Sequence, residues 1–366
     1  MVEATRTDSA GKNGSTTIRD VAARAGVSIA TVSRVFNATG PVREETARRV
    51  LDAATTLKYV PHVGARSLST RRTGTVGVLL PDLHGEFFSE VIRGIDNAAR
   101  RQGYHLLVSG SHSDWNEMSA VLSATRGRVD GILVMSPDRD SDALQAHLPP
   151  GLPAVLMNCP GGTGPSISID NMGGSAAMVR HLISLGHRRI AFICGPERNS
   201  DAWERLRGYR SEMTREGVYD PGLEISGDFT EEGGRESARD ALTLDPRPTA
   251  IFAANDSMAI GALSALYETG LEVPVDMAVV GFDDVPIGRY VAPPLTTVGV
   301  DIAALGKRAL ELLLEILAGG GTTTQRETIP TRLVIRESCG AGSSPTRHRN
   351  GTSTSEKASS MKEERP

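Results

Sequence analysis

Cysteine is scarce in this 366-residue chain: Cys159, Cys194 and Cys339 are odd in number, far apart and without the close spacing of a metal site. That excludes a disulfide-stapled scaffold, and three free thiols in a reducing cytosol are expected. Long apolar runs are missing too. Nowhere do about eighteen apolar residues follow one another, and the first twenty residues are polar and charged, so neither a membrane span nor a secretory leader is expected. The 39 glycines and 20 prolines follow no repeat, which excludes a collagen-like chain. Catalytic signatures are equally absent. None of the eight histidines falls in an HExxH pattern, and there is neither a GxSxG elbow nor a GxxxxGKS/T phosphate loop. The chain reads as a binding protein, not an enzyme, with no cofactor and no metal.

What is present is unevenly spread. The formal net charge is −4, but residues 1–72 hold twelve Lys/Arg against six Asp/Glu, a net of +6 that leaves −10 for the rest. Such asymmetry suits a polyanion-binding module carried on an acidic body.

Residues 1–15 and 341–366 are polar and lack apolar periodicity, so both ends are expected to be disordered. Residues 16–60 read as three short helices. Thr17 serves as N-cap with Asp20 three positions on, and Ile18, Val21, Ala22 and Ala25 share one face. Gly26 ends that helix, and Ser28 caps a second over 29–36 whose inward side is Val32, Val35 and Phe36. A third, over 44–57, aligns Ala47, Val50, Leu51, Ala54 and Leu57. Two helices joined by a tight Gly turn, with a third beside them, describe a helix-turn-helix. In that motif the second helix enters the major groove. Arg34 then pairs with guanine, Ile29 and Ala30 meet thymine methyls, and Thr17, Ser28, Thr31, Ser33 and Asn37 face phosphates. The local charge weighs against the alternative, a small helical cap with Arg34 as an ordinary surface charge.

Residues 61–72 are short and basic and read as a linker. From Thr73 onward short β-branched runs alternate with amphipathic helices: strands at 76–80, 105–109, 131–135, 154–157, 189–193, 250–253 and 279–282, with helices near 87–101, 115–125, 171–185, 205–216, 232–242 and 257–269. Repeated units of this kind give parallel sheets covered by helices, here as two Rossmann-like lobes with a ligand cleft at the strand carboxyl ends.

The stretch TIRDVAARAGVSIATVSRVFN, followed by LKYVP and ARSL, resembles the DNA-binding domain and hinge of the LacI/GalR family of bacterial repressors. Downstream, FFSEVIRGID, VDGILV, LGHRRIAFI, ERLRGY, RPTAIFAANDSMAIGAL and VVGFDDVP extend the likeness over roughly residues 16–340. The resemblance implies a small all-α helix-turn-helix headpiece (16–60), a hinge (61–72) and an α/β two-lobed, periplasmic-binding-protein-like (type I) effector and dimerisation domain (73–340). It implies a cytoplasmic homodimer on palindromic operator DNA, most simply a repressor, with Ile29, Ala30 and Arg34 at base-reading positions. It also implies a hinge helix at 65–68 in the minor groove, with Leu68 as the wedge and Arg66 supplying charge. No leucine heptads follow residue 340, so a dimer is expected rather than a tail-assembled tetramer.

The same resemblance points to an effector site. Phe87 and Phe88 follow the first strand, where their rings can stack on a sugar or a base, although one of them also suits the core. Arg205 is similar to the family's ligand-binding arginine, whose planar fork suits paired hydroxyls or a carboxylate. Asp283, Asn255 and Asp170 stand at strand ends, and Phe229 closes the far side; helix capping is the alternative for Asp283 and Asp170, and for Asp170 it weighs nearly as much as a ligand role. Sugar-binding relatives often carry Asn-Pro before the paired aromatics, whereas this chain has Gly85-Glu86, which adds a carboxylate near the cleft. A carbohydrate is the first expectation for the effector, and a nucleobase or another metabolite the alternative. A sugar-binding transport receptor would share the lobes but not the helix-turn-helix.

Overall fold

The computed structural model describes residues 16–37, 40–59, 72–111, 114–136, 144, 147–159, 164–319 and 325–341. Both terminal segments and nearly all of the 61–72 linker, with Arg66 and Leu68, lie outside the described residues.

The headpiece comprises α1 (Ile18–Ala25), α2 (Ile29–Asn37) and α3 (Glu44–Thr56). At its start, the Thr17 backbone N–H and hydroxyl both donate to the Asp20 carboxylate at 2.8 Å. This interaction holds Asp20 below the usual carboxylate range. At its end Gly26 turns left-handed (φ 63°), and Val27 N–H reaches back to Ala22 C=O at 3.1 Å. Ser28 then caps α2 by accepting from Thr31 N–H at 3.2 Å. Val21, Val32 and Val50 are fully buried, and Phe36 meets Tyr59 edge-on at 5.8 Å. Leu51 departs from the expected stripe. It is 49% exposed, and Ala53 occupies the buried position, where a methyl suits close packing of α3 against α1.

The body starts with β1 (Thr75–Leu80), α4 (Glu86–Arg101), β2 (His105–Gly110), α5 (Trp115–Thr125), β3 (Gly131–Met135), β4 (Ala154–Met157) and β5 (Ser166–Ile169). The second lobe follows as α6 (Asn171–Ser184), β6 (Ile190–Ile193), α7 (Ser200–Arg215), β7 (Glu224–Ile225), α8 (Glu231–Thr243), β8 (Ala250–Ala253), α9 (Asp256–Glu268), β9 (Ala278–Asp283) and β10 (Thr296–Val300). The chain then returns through α10 (Ile302–Leu317) and β11 (Arg326–Ile329) before ending in β12 (Thr331–Val334).

Two six-stranded sheets result, ordered β11-β5-β4-β3-β1-β2 and β12-β10-β9-β8-β6-β7, parallel throughout except for the β10–β12 pair. Their central strands, such as TVGVLL and AIFA, are apolar along nearly their whole length because both faces are covered. The chain changes lobes three times: at Asp170, at Asp301 and between β11 and β12. Asp170 and Asp301 each cap the helix that follows. On the first lobe α4 crosses α10 at backbone contact. A methyl on Gly94 would overlap the Ala303 carbonyl, and one on Gly306 the Val91 carbonyl.

The segment arriving from the linker is fixed where it joins this lobe. Asp130 accepts from Thr73 N–H at 2.5 Å, Thr73 hydroxyl at 2.9 Å and Gly74 N–H at 2.9 Å. No helix among the described residues is long and apolar enough to cross a membrane. The three thiols are free, and burial pushes those of Cys159 and Cys194 up to about 12.

Candidate functional site

In both sheets the lobe's first strand lies between its second and third: β2-β1-β3 and β7-β6-β8. Connections leaving the first and third strands diverge to opposite faces and open a crevice at the carboxyl ends. A cavity of about 270 Å³ lies there. The first lobe contributes Asp82, Glu86, Phe87, Phe88 and Met135 to its wall, and the second Asp201, Arg205, Asp228, Phe229, Asn255 and Asp283. Phe87 and Phe88 are both half-buried and meet edge-on at 5.5 Å.

Arg205 is the structural centre of this wall, at only 3% exposure. Its Nε donates to Asn171 Oδ1 at 2.8 Å, one Nη to the Ala254 carbonyl at 2.6 Å, and the other stands 3.0 Å from Asp283 Oδ1. The guanidinium lies over the Phe282 ring, 3.9 Å from its centre. Asp283 ends β9 in a left-handed conformation (φ 119°), and Oδ1 is buried without a well-aligned hydrogen bond. Burial pushes its carboxyl up to about 6; the Arg205 charge opposes that rise and Asp201 adds to it.

Asp201, one turn before Arg205 on α7, accepts from Asn171 Nδ2 at 2.9 Å and from Asn158 Nδ2 at 3.0 Å. Burial raises it too to about 6 against the pull of Arg205. Because Asn158 follows β4 and Asp201 belongs to the second lobe, this bond bridges the cleft. A second bridge runs from Ile287 N–H to Glu86 Oε2 at 3.0 Å. Asn158, Phe229, Asp283 and Asp284 all take positive φ, a concentration of backbone strain around the cleft.

The expected site residues fall into two groups. Phe87, Phe88, Arg205, Phe229, Asn255 and Asp283 line the cavity together. The Asn255 amide is already engaged: it caps α9 by accepting from Met258 N–H at 3.0 Å and donates to the Phe229 carbonyl at 3.0 Å, so it positions Phe229. Asp170 does not line the cavity, because the N-terminus of α6 takes its carboxylate through Gly173 N–H at 2.9 Å. Asp201, Asp228, Asn171 and Asn158 were not marked by sequence. For Asp201 a signal existed in its i,i+4 spacing from Arg205.

On the headpiece, Ile29 is 45% exposed and Ala30 and Arg34 stand exposed on the same helix. No carboxylate among the described residues pairs with Arg34. Ser28 and Thr31 hydroxyls lie 2.9 Å apart, and Asn37 Nδ2 donates to Ser33 Oγ at 3.1 Å. These contacts hold the polar side chains along α2. An exposed reading helix on a basic headpiece, joined to two α/β lobes around a cleft, defines a DNA-binding protein with a ligand-binding body.

Comparison with known proteins makes this specific. Residues 17–62 match the bacterial regulatory proteins of the lacI family, and residues 179–339 a periplasmic binding protein-like domain. The HTH-type transcriptional repressor PurR of Haemophilus influenzae (strain PittEE) is 36% identical over 333 residues, covering 88% of this chain and 98% of that protein. The ribose operon repressor of Escherichia coli K12 is 37% identical over 330 residues, covering 88% and 99%. The lac repressor dimer bound to operator and the anti-inducer ONPF matches with a TM-score of 0.82 at 31% identity, covering 89% of this chain and 99% of that one. The complex of the transcriptional regulator CelR with cellobiose matches at 0.68 and 34% identity, covering 88% and 99%. The chain belongs to the LacI family: it is a DNA-binding transcriptional repressor, not an enzyme.

Proposed function

We propose that this repressor works in the cytoplasm as a homodimer. It sets two α2 helices into successive major grooves of a palindromic operator, with affinity controlled by a carbohydrate in the cleft between the lobes. Arg34, Ile29 and Ala30 read bases; Thr17, Ser28, Thr31, Ser33 and Asn37 hold the phosphates; and Arg66 and Leu68 engage the minor groove at the centre.

One observation carries the carbohydrate reading. The paired Arg205 and Asp283 share a small cavity with Phe87, Phe88 and Phe229, so hydroxyl-binding charges lie beside rings that cover an apolar sugar face. Support also comes from similar proteins named for ribose and complexed with cellobiose. A ligand that binds one lobe arrangement better shifts operator affinity by its coupling energy, commonly about 1–3 kcal/mol.

Fluorescence anisotropy of the full chain on DNA captured from its source genome, with and without a panel of sugars and nucleobases, tests the proposal. Sugar-dependent change in operator affinity is expected, in either direction. A response confined to nucleobases refutes the carbohydrate assignment, and the absence of sequence-specific, salt-sensitive DNA binding refutes the operator reading.

A further inference from the structure

The charge on the cavity wall is lopsided. Asp82, Glu86, Asp201, Asp228 and Asp283 face a single guanidinium, that of Arg205. That guanidinium is already committed on every side, to the Asn171 side chain, the Ala254 carbonyl and Asp283, with its face on Phe282. Among the described lining residues an entering anion therefore finds no lysine and no second arginine, only the His84 imidazole.

The carboxylates keep acceptor capacity in reserve. Glu86 uses Oε2 for Ile287 N–H, and Asp228 uses Oδ1 for the backbone and hydroxyl of Thr230. Their second oxygens make no hydrogen bond among the described residues, whereas Asp283 Oδ1 is held by the Arg205 guanidinium at 3.0 Å. Three phenyl rings, Phe87, Phe88 and Phe229, border the same space. Aromatic faces beside carboxylates make an environment that attracts cations, most strongly where water is excluded.

We propose that the ligand of this cavity carries a protonated amine beside its hydroxyls, the chemistry of an amino sugar. The inference rests on the reading of the cleft as the repressor's ligand site and narrows its ligand class. A neutral polyol can donate to Asp283 but brings no positive charge to the exposed carboxylates of Asp82, Glu86 and Asp228. A phosphorylated sugar adds further negative charge. An ammonium group offsets the negative wall and supplies three donors in one compact group.

The test is a charge series on common scaffolds. The full-length protein is titrated by calorimetry with D-glucosamine and D-galactosamine, with the parent hexoses and with their 6-phosphates, and each compound is added to the operator-binding assay. The expected result is that an amino sugar binds at least about tenfold more tightly than its parent, the size of one cation contact shared by carboxylate and ring, while the phosphates do not bind. E86Q and D228N should each weaken the amino sugar several-fold and the parent hexose less than twofold. Equal affinity for amine and parent, preference for a neutral or phosphorylated compound, or no binding by any amine overturns the inference. Should a variant fail to fold, the comparison on the unaltered protein decides alone. A neutral sugar that shifts operator affinity more strongly than its amine refutes the amine and leaves the repressor reading intact, whereas loss of all ligand response with operator binding retained refutes the cleft's regulatory role.

Discussion

Asp283→Asn separates the charge of the cleft floor from its shape. Burial lifts the Asp283 carboxyl from 3.8 to about 6 even with Arg205 beside it. A carboxyl with a higher pKa in the folded than in the unfolded state holds its proton better when folded. The stability it contributes is complete below the unfolded value and is lost as pH rises through the folded one. The shift of about two units is worth about 3 kcal/mol, of which about 2 kcal/mol falls between pH 4.5 and 7.5. Solvent screening removes little of this, because the side chain is 7% exposed. Asparagine keeps the shape and abolishes the titration, but it also leaves Arg205 without its counter-charge, so absolute stability at pH 7 reflects two opposed effects. The slope with pH does not. In urea unfolding across that range, the native protein should lose about 2 kcal/mol more than D283N does as pH rises. Parallel stability curves would refute the burial argument for this carboxyl.

Other expectations follow from separate parts of the molecule. Arg34→Ala should lose about 1–3 kcal/mol of discrimination between operator and random DNA; an unchanged affinity ratio in anisotropy titrations removes Arg34 from base reading. Asn255→Ala should cost about 1 kcal/mol of stability through the lost helix cap and should also weaken ligand binding through the released Phe229 loop, so calorimetry showing unaltered affinity contradicts its positioning role. Gly94→Val should lower the melting temperature clearly by prising α4 from α10, with a cost of about 1–3 kcal/mol or more; a melting curve like the native one would show that the crossing yields easily. Asp130→Ala should leave ligand affinity unchanged while diminishing the change in operator affinity on ligand addition, and a full response would show that the Thr73 anchor transmits nothing.

The headpiece was legible because its signals are local. Thr17, Asp20, Gly26 and Ser28 fix where helices start and stop within a dozen residues, and the valines they bracket form the core. Leu51 misled because α3 has apolar residues on more than one side, and which of them turns inward depends on its distance from α1. The early strands announced themselves as buried apolar runs. Strand β5, with alternating Ser and Ile, the two-residue β7 and the partly exposed β11 have too little apolar length to signal a strand alone. Helix α10 carries a strong leucine pattern, but its membership of the first lobe follows from the chain's return, a long-range fact. Asp170 and Asp283 show the same limit at the site. Both are aspartates at strand ends, yet one caps a helix at the crossover and the other faces Arg205, and only the lobe arrangement separates them. Asp201 looks locally like half of an ordinary surface helix pair.

How a ligand in the cleft reaches DNA is constrained by where the polypeptide is tied. Cavity-lining groups are divided between the lobes, and Glu86 and Asn158 already reach across to Ile287 and Asp201. A ligand touching both walls therefore favours one angle between the lobes over another, and the free energy available to regulation is the difference in its contacts between those angles. The three crossovers at Asp170, Asp301 and Pro330 are the covalent connections about which that angle can change; two of them begin in aspartates that cap the outgoing helix and so keep each helix fixed to its crossover. The chain from the headpiece arrives at Thr73 and Gly74, held by three hydrogen bonds that they donate to Asp130 on the first lobe. With so little slack at this junction, rotation of the first lobe carries the start of the linker with it. In the proposed homodimer, the separation of the two Thr73–Gly74 junctions is the quantity we expect a ligand to control, and the fold of either headpiece need not change.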